Sequence, residues 1–405
     1  MEWNVQQRAA LAAVAKWYAD PKSPQVFRLF GYAGTGKTTL AREFGKGILG
    51  RVLYGAFTGK AALVLRQKGA HGAETIHRLI YTPKDKSSMN LRELKDAYEA
   101  LLLKKGIPAD EVQRHERKCR LLAHKIKQEE DLLKQPAFVL NEESEVQYAK
   151  LVVIDEVSMV GTDMAHDLLS FGTKVLVLGD PAQLPPVGTE GYFTNADPDV
   201  LLTEVHRQAA NSPIITLATG VREGHGLPLG IYGDSSVSPK GTHDIHAIAQ
   251  HDQVLCGRNA MRHTLNRRIR EDVLGRTDAL PVVGDKLVCL RNNHEAGLLN
   301  GSLWKVRERM AADEEDMCLA LEGEDGRIVE TVAHTALFLG RELSYWDRRR
   351  ADEFDYGYAL TVHKAQGSQW GSVFVVDESA CFRKDGRRWL YTALTRASER
   401  VTVVR

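Results

Sequence analysis

Residues 31–39 read GYAGTGKTT, directly after the apolar run QVFRLF (25–30) and before the helical pattern LAREFG (40–45). The spacing is G-x-x-x-x-G-K-[ST]. Its glycines let backbone N–H groups close around phosphate oxygens, Lys37 reaches the β- and γ-phosphates, and Thr38 supplies a hydroxyl to Mg²⁺. The strand–loop–helix context argues against a glycine turn without a ligand. Asp155 and Glu156 end a second apolar run, LVVI (151–154). One carboxylate can take the metal's coordination shell while the other orients or deprotonates an attacking water, the division of labour that phosphoanhydride hydrolysis needs. Gln183 lies in LGDPAQLPPV (178–187), where an amide at the next strand end can bond a γ-phosphate or the attacking water. Charge developing on the phosphoryl group also calls for arginines, ideally from a second domain; Arg207 and Arg396 are the candidates.

These residues need a scaffold of parallel strands. QVFRLF (25–30), VLYGAF (52–57), LVVIDE (151–156) and KVLVLGD (174–180) alternate with helical patterns, and QVLCG (253–257), SVFVVD (372–377) and RVTVVR (400–405) form a second set. Short continuous apolar runs ending in Gly or Asp predict buried parallel strands with function at their carboxyl ends. Two interruptions stand out. In residues 89–134, Leu91, Leu94, Tyr98 and Leu101 follow helical spacing, and Val112, Cys119, Ile126 and Leu133 recur every seven residues, which predicts two helices packed on each other. Residues 283–345 contain KLVCL, SLWKV, MCLAL and RIVETV with a Asp-Gly turn in EGEDGR, which predicts a small β-barrel.

At 405 residues, 43% of them hydrophobic, the chain is long enough for two or three domains with their own cores. It has no apolar run of membrane-spanning length, and MEWNVQQRAALAAV lacks the basic-then-apolar order of a signal peptide. Five cysteines without a C-x-x-C pair fit a reducing cytosol and argue against structural zinc. The net charge of +1 is uninformative, but its distribution is not. Residues 51–80 carry five Lys or Arg against one acid, GRNAMRHTLNRRIR (257–270) carries five arginines and a histidine with no acid, and residues 311–330 carry eight acids and one Arg. Such segregation is compatible with a basic groove backed by acidic outer surfaces.

In this order the motifs resemble a superfamily 1B helicase of the RecD/Dda-like branch. NVQQRAAL (4–11) resembles its adenine-reading segment, with Gln7 as the reader, and GYAGTGKTT its motif I. AFTGKAA (56–62), ETIHRLI (74–80), VIDEVSMV (153–160), GDPAQLPPV (179–187), LTEVHRQ (202–208), ALTVHKAQGSQW (359–370) and LYTALTRA (390–397) resemble the motifs that follow. The resemblance implies an α/β fold of two RecA-like P-loop domains in tandem. The first would be 1–81 with 136–204, interrupted by a helical arm or wedge at 82–135; the second would be 205–282 with 346–405, interrupted by an SH3-like β-barrel at 283–345. It implies ATP and Mg²⁺ at Gln7, Gly34, Thr35, Gly36, Lys37, Thr38, Thr39, Asp155, Glu156, Gln183, Arg207, Gly367 and Arg396. Single-stranded DNA would run along Thr58, Lys60, His77, Pro185, Asn259, Arg262, Thr361, His363 and Lys364. The Pro185–Pro186 segment, stiff in φ, would carry displacement from Gln183 toward the strand.

Two departures qualify the resemblance. Gln369 stands where relatives often have an acid, which bears on sugar preference if that position meets a ribose. The helical arm is larger than a short hairpin wedge, although QPAFVLN (135–141) could return as a wedge strand with Phe138 against the first unpaired bases. The implied activity is 5′→3′ movement on single-stranded DNA that unwinds forks, by a monomer working alone or beside replication or recombination proteins, with no membrane. Little room remains for a fused nuclease or other terminal module. Alternatives are a single-strand-stimulated ATPase that strips proteins or acts on RNA, and a binding module that holds ATP as a structural ligand.

Overall fold

The apolar runs become two parallel sheets whose carboxyl ends carry the motifs. The structure, a computed structural model, describes all residues except 1–2, 84–87, 105–107, 109–111, 135–137, 187–190, 205–211, 294–295, 313–314, 342 and 344–349. Arg207 lies outside the described residues. Residues 80–144 form one compact unit, and 1–79 with 145–405 form the other.

In the larger unit the first sheet has the order Glu74–Thr75, Val52–Ala56, Leu151–Asp155, Val175–Gly179, Val26–Gly31, Val200–Leu202, all parallel. Every residue of Leu151–Asp155 and Val175–Gly179 is buried, so these central strands are apolar without alternation. Val26–Gly31 pairs with Val175–Gly179 in the register Phe30↔Gly179, which sets the GYAGTGKTT loop beside the loop of Gln183. The chain visits the strands out of spatial order, and that is where α/β sheets open a crevice.

The second sheet has the order Ala359–Thr361, Gln253–Cys256, Trp370–Val376, Ala397–Val404, Ser235–Ser238, Gly230–Tyr232, parallel except for the last pair. The short strands at 74–75, 200–202, 230–232, 235–238 and 359–361 were not singled out from sequence, because two to four residues are too few to show a period. The Gly386–Leu394 helix buries every residue from Trp389 to Leu394. Trp389 packs in the core of the second sheet, while Tyr391 and Thr392 bond residues of the first, so both faces of the helix are covered.

Lys286–Cys289, Leu303–Ala312, Asp316–Gly323 and Ile328–His334 form an antiparallel sheet with a fifth strand, Phe354–Tyr356, which lies past the expected boundary at 345. An Ala333↔Asp352 bridge brings its first and last edges together. Two register shifts in the pairing of the two longest strands, after Val306 and after Arg309, supply the bending that such curling needs. In the smaller unit, Ser88–Leu102 and Val112–Lys134 are helices packed on each other. Leu94, Tyr98 and Leu101 are half-buried on the first, and Cys119, Leu122 and Ile126 on the second. Phe138–Leu140 pairs antiparallel with Tyr81–Pro83, and Phe138 is 49% exposed.

One buried carboxylate anchors the antiparallel insertion to the second sheet. Asp285 is fully buried and accepts hydrogen bonds from Arg270 Nη2 (3.0 Å), Arg276 Nη1 (2.7 Å), the Tyr358 hydroxyl (2.8 Å) and the Val282 N–H (2.9 Å). Burial pushes its pKa up, but the bonds from Arg270, Val282, Tyr358 and Arg276 outweigh it and hold the carboxyl below its usual range. Asp285→Ala leaves buried arginine charge uncompensated and is expected to cost about 3–5 kcal/mol in urea denaturation. Because the folded pKa is depressed, this contribution is complete above the unfolded pKa. The gap between wild type and variant should therefore narrow as pH falls through the folded value.

Candidate functional site

Gly36 holds φ at 82°, the left-handed region, and forms the N-cap of the Lys37–Lys46 helix without any side-chain cap. The first-turn N–H groups of that helix are therefore left for an anion. They face a cavity of about 500 Å³ lined from the first sheet by Gly34, Gly36, Lys37, Thr38, Thr39, Asp155, Glu156 and Gln183. Gly367, Ser368, Gln369, Thr395 and Arg396 line it from the second. Thr35 is buried inside the loop instead: its hydroxyl donates to Tyr32 O (2.8 Å), and its carbonyl accepts from Gln7 Nε2 (3.0 Å). Gln7 also completes a capping box with Asn4, so the amide expected to read adenine lines the cavity while already bonded at both ends.

Lys37 Nζ donates to the carbonyls of Gly31 (2.5 Å) and Tyr32 (3.1 Å). Thr38 Oγ1 donates to Asp155 Oδ2 (2.7 Å), so the two groups expected at Mg²⁺ are already together. A hydroxyl and one carboxylate are hard oxygen donors, and Mg²⁺ commonly takes one or two carboxylates plus substrate phosphates, so this pair fits the ion. Glu156 carries φ 54°, a left-handed conformation that is strained for a residue with a Cβ. Burial raises its pKa, Arg396 and Lys37 oppose this, and Asp155 and Asp180 reinforce it. Arg396 is 5% exposed and held by Thr392 O (3.1 Å), Ser368 O (3.2 Å) and Thr395 Oγ1 (3.3 Å). Gln183 is 7% exposed, and its Oε1 has no hydrogen-bond partner among the described residues.

A second cavity, about 420 Å³, lies on the other side of the 363–368 loop, and Ser368 borders both. Of the residues expected along a strand it gathers Thr58, Lys60, Asn259, Arg262, Thr361, His363 and Lys364. The loop packs closely against the first sheet's helix here. A Cβ on Gly367, whose φ is 75°, would lie 2.9 Å from Thr58 Oγ1 and 3.0 Å from Ala61 Cβ. Burial lowers the pKa of both His363 and Lys364. Two of the cations are already paired: Lys60 with Glu324 (2.9 Å), over the Trp370 ring, and Arg262 with Asp355 (2.6 Å).

Some of the residues singled out from sequence lie outside the lining of this cavity. His77 does not line this cavity; its ring sits 6.5 Å from that of Phe57, and burial lowers its pKa. Pro185 and Pro186 line a separate cavity with Asp180, Lys384 and Arg388. Gln369 faces the P-loop cavity, so any ribose it meets there is a nucleotide's. Phe57, Asn300 and Gln366 also line the second cavity and were not singled out from sequence. Phe57 and Gln366 stood within quoted motifs, whereas Asn300 comes from the antiparallel insertion and had no local signal.

The two sheets are tied across their seam. Tyr391 OH accepts from the Ala33 N–H (3.1 Å) and donates to Asp180 Oδ2 (2.7 Å), and the Arg222 guanidinium lies 3.6 Å over the Tyr32 ring. Leu184 N–H donates to Thr392 Oγ1 (3.0 Å), Leu184 O accepts from Gln366 Nε2 (3.0 Å), and the Leu184 side chain joins the second sheet's core. With the Glu156 pKa raised, the fold binds its proton more tightly than the unfolded chain, so this residue subtracts stability as pH rises through the unfolded value. Glu156→Gln should therefore raise the Tm of the nucleotide-free protein near pH 8, and scanning calorimetry should find that gain gone below about pH 4.5.

Residues 2–237 match the family described as AAA domain, and residues 356–404 match the UvrD-like helicase C-terminal domain. The ATP-dependent RecD2 DNA helicase of Deinococcus radiodurans is 33% identical over 281 residues, covering 62% of this chain and 35% of that protein. The RecBCD enzyme subunit RecD of Mycolicibacterium smegmatis is 27% identical over 286 residues, covering 63% and 50%. The chain thus spans between a third and a half of the length of these curated relatives. Among solved structures, Pif1 helicase from Bacteroides in complex with ADP-AlF3 and ssDNA has a TM-score of 0.54 at 16% identity, covering 99% of this chain and 92% of that one. Pif1 helicase from Candida albicans has a TM-score of 0.51 at 17% identity, covering 100% and 94%. These last two likenesses establish a shared parallel-sheet α/β fold. With 2–237 matched across the first sheet and its motifs, the chain belongs to the family described as AAA domain.

Proposed function

We propose that this chain is an ATP-dependent DNA helicase that moves along single-stranded DNA, 5′→3′, and couples hydrolysis to fork unwinding. The observation that carries the reading is the P-loop cavity itself: Lys37, Thr38, Asp155 and Glu156 stand on one sheet, Gly367 and Arg396 on the other. A triphosphate there bridges two lobes, which we read as RecA-like, so its hydrolysis changes what holds them together. Mg²⁺, held by Thr38 and Asp155, would neutralise charge on the β- and γ-phosphates. Glu156 accepts a proton from the attacking water as its oxygen bonds Pγ and the bond from Pγ to the bridging oxygen breaks. Lys37 and Arg396 offset charge on the transferred group, and ADP and phosphate leave. Arg207 belongs to the same proposal as a second cation.

The strand lies in the second cavity, gripped by Thr58, Asn259, Thr361, His363 and Lys364, and by Lys60 and Arg262 once they exchange their acids for phosphate. Such contacts give little sequence preference and a steep dependence on salt. The antiparallel insertion, read as an SH3-like barrel, contributes Asn300 to this grip, and the 80–144 unit, with Phe138, is read as the wedge. The relatives named above support this reading: RecD2 is a DNA helicase, and Pif1 has been crystallised with ssDNA.

The deciding assay is strand displacement on 5′-tailed and 3′-tailed DNA and RNA forks. Wild type should open 5′-tailed DNA forks, and efficient opening of 3′-tailed forks alone would overturn the polarity. Lys37→Ala should lose roughly 10²–10³-fold in ATP turnover. Gln183→Ala should keep turnover while unwinding per ATP falls; an unchanged ratio would remove the coupling role of Gln183.

A further inference from the structure

Gln366 is 3% exposed and stands in the wall of the second cavity, two residues before Ser368, which that cavity shares with the P-loop cavity. Its Nε2 donates to the carbonyl of Leu184 at 3.0 Å. Its Oε1 has no hydrogen-bond partner among the described residues. Which end of the amide faces Leu184 is settled by chemistry: a carbonyl only accepts, so the NH₂ must point at it and the oxygen is left over. Gln183, adjoining Leu184 on its other side, also has a buried amide oxygen without a partner among the described residues. Two residues with orphan buried acceptors, one lining each cavity, are thus joined through a single residue.

That residue is fixed. Leu184 is 1% exposed within the second sheet's core, and its N–H is held by Thr392 Oγ1. A change in the hydrogen bonding of Gln366 is therefore felt at Leu184 O and cannot be absorbed by free movement of the loop. Buried amide oxygens are nearly always satisfied, so an orphan on a residue that lines a cavity calls for a donor that arrives in another state, with the side chain turned to meet it. A phosphodiester offers only acceptors and cannot fill this role. On a deoxyribose strand, which has no 2′-hydroxyl, the available donors are the N–H groups on the edges of the bases.

We propose that Gln366 is a positioning residue that accepts a hydrogen bond from a base N–H of a bound strand and, through the Leu184 carbonyl, sets Gln183 in the P-loop cavity. This rests on the DNA-motor reading above. It makes the strand's bases, and not only its phosphates, part of the signal that stimulates ATP turnover.

The test compares the ratio of strand-stimulated to strand-free ATP turnover with an oligodeoxythymidylate and an abasic oligodeoxynucleotide of equal length. Fluorescence anisotropy gives the Kd of each strand, and melting curves check folding. For wild type, the abasic strand should stimulate roughly three- to tenfold less at saturating concentration, the range of one lost hydrogen bond. Gln366→Leu removes both amide bonds, and Gln366→Glu removes the donor to Leu184. Both should bind the two strands through their phosphates, yet respond to them equally. Variants that retain the wild-type preference for the intact strand would overturn the proposal. So would equal stimulation of wild type by both strands, a comparison that needs no substitution. A wild-type chain that binds neither strand would instead overturn the motor reading.

Discussion

The architecture of the site depends on the capture of one leucine. Leu184 belongs by sequence to a loop of the first sheet, but its side chain is buried in the core of the second and both its backbone groups are bonded there, to Thr392 and Gln366. Burying such a side chain is worth about 1.5–3 kcal/mol. Two backbone bonds then fix its direction as well as its depth. Because Gln183 precedes it, the amide at the P-loop cavity is indexed to the second sheet although its strand belongs to the first. The prolines that follow remove N–H donors and restrict φ, which keeps the loop from relaxing away from Leu184.

Around that anchor the seam is polar and exacting. Tyr391 reaches from the second sheet to the P-loop backbone and to Asp180, whose other carboxylate oxygen accepts from the Ala182 N–H and so shapes the Gln183 loop. Burial raises the tyrosine's pKa far above its ordinary value, so the phenol stays neutral and can donate and accept at once. Glu156 shows the opposite economy. It sits in a strained left-handed conformation with its charge disfavoured by burial, beside Asp155 and opposite Arg396 and Lys37. A carboxylate held this way binds its proton more tightly than an ordinary one, at the expense of stability in the fold.

The antiparallel insertion reaches further than its place in the sequence suggests. Asp285 fastens its first strand to Arg270, Arg276 and Tyr358. From that base its acidic turn presents Glu324 to Lys60 on the first sheet's helix, and Asn300 enters the second cavity. Acidic residues that looked in the sequence like an outer surface thus include one that neutralises a cation of the groove. The 311–330 acid cluster and the 51–80 basic segment are partners at this point, which segregated charge alone could not reveal.

The amino-acid sequence determined the P-loop part of the cavity lining, Gly34, Gly36 to Thr39, Asp155 and Glu156, because that chemistry is local. Glycines, Lys37 and Thr38 must follow one strand within a single turn, and Asp155 and Glu156 must end another, so spacing and apolar runs suffice. It also announced both central sets of strands, whose burial on two faces leaves uninterrupted apolar runs, and the stripes of Cys119 and Ile126. The tertiary structure alone decided what touches what across the seam. Leu184 buried in the other lobe, Tyr391 on the P-loop, Lys60 matched to Glu324 and the orphan oxygen of Gln366 join residues far apart in the chain. Their energies come from burial and hydrogen bonding that exist only after the sheets meet. The edge strands at 74–75 and 359–361 belong to the same class, since two or three residues acquire strand geometry from a neighbour and carry no periodicity of their own.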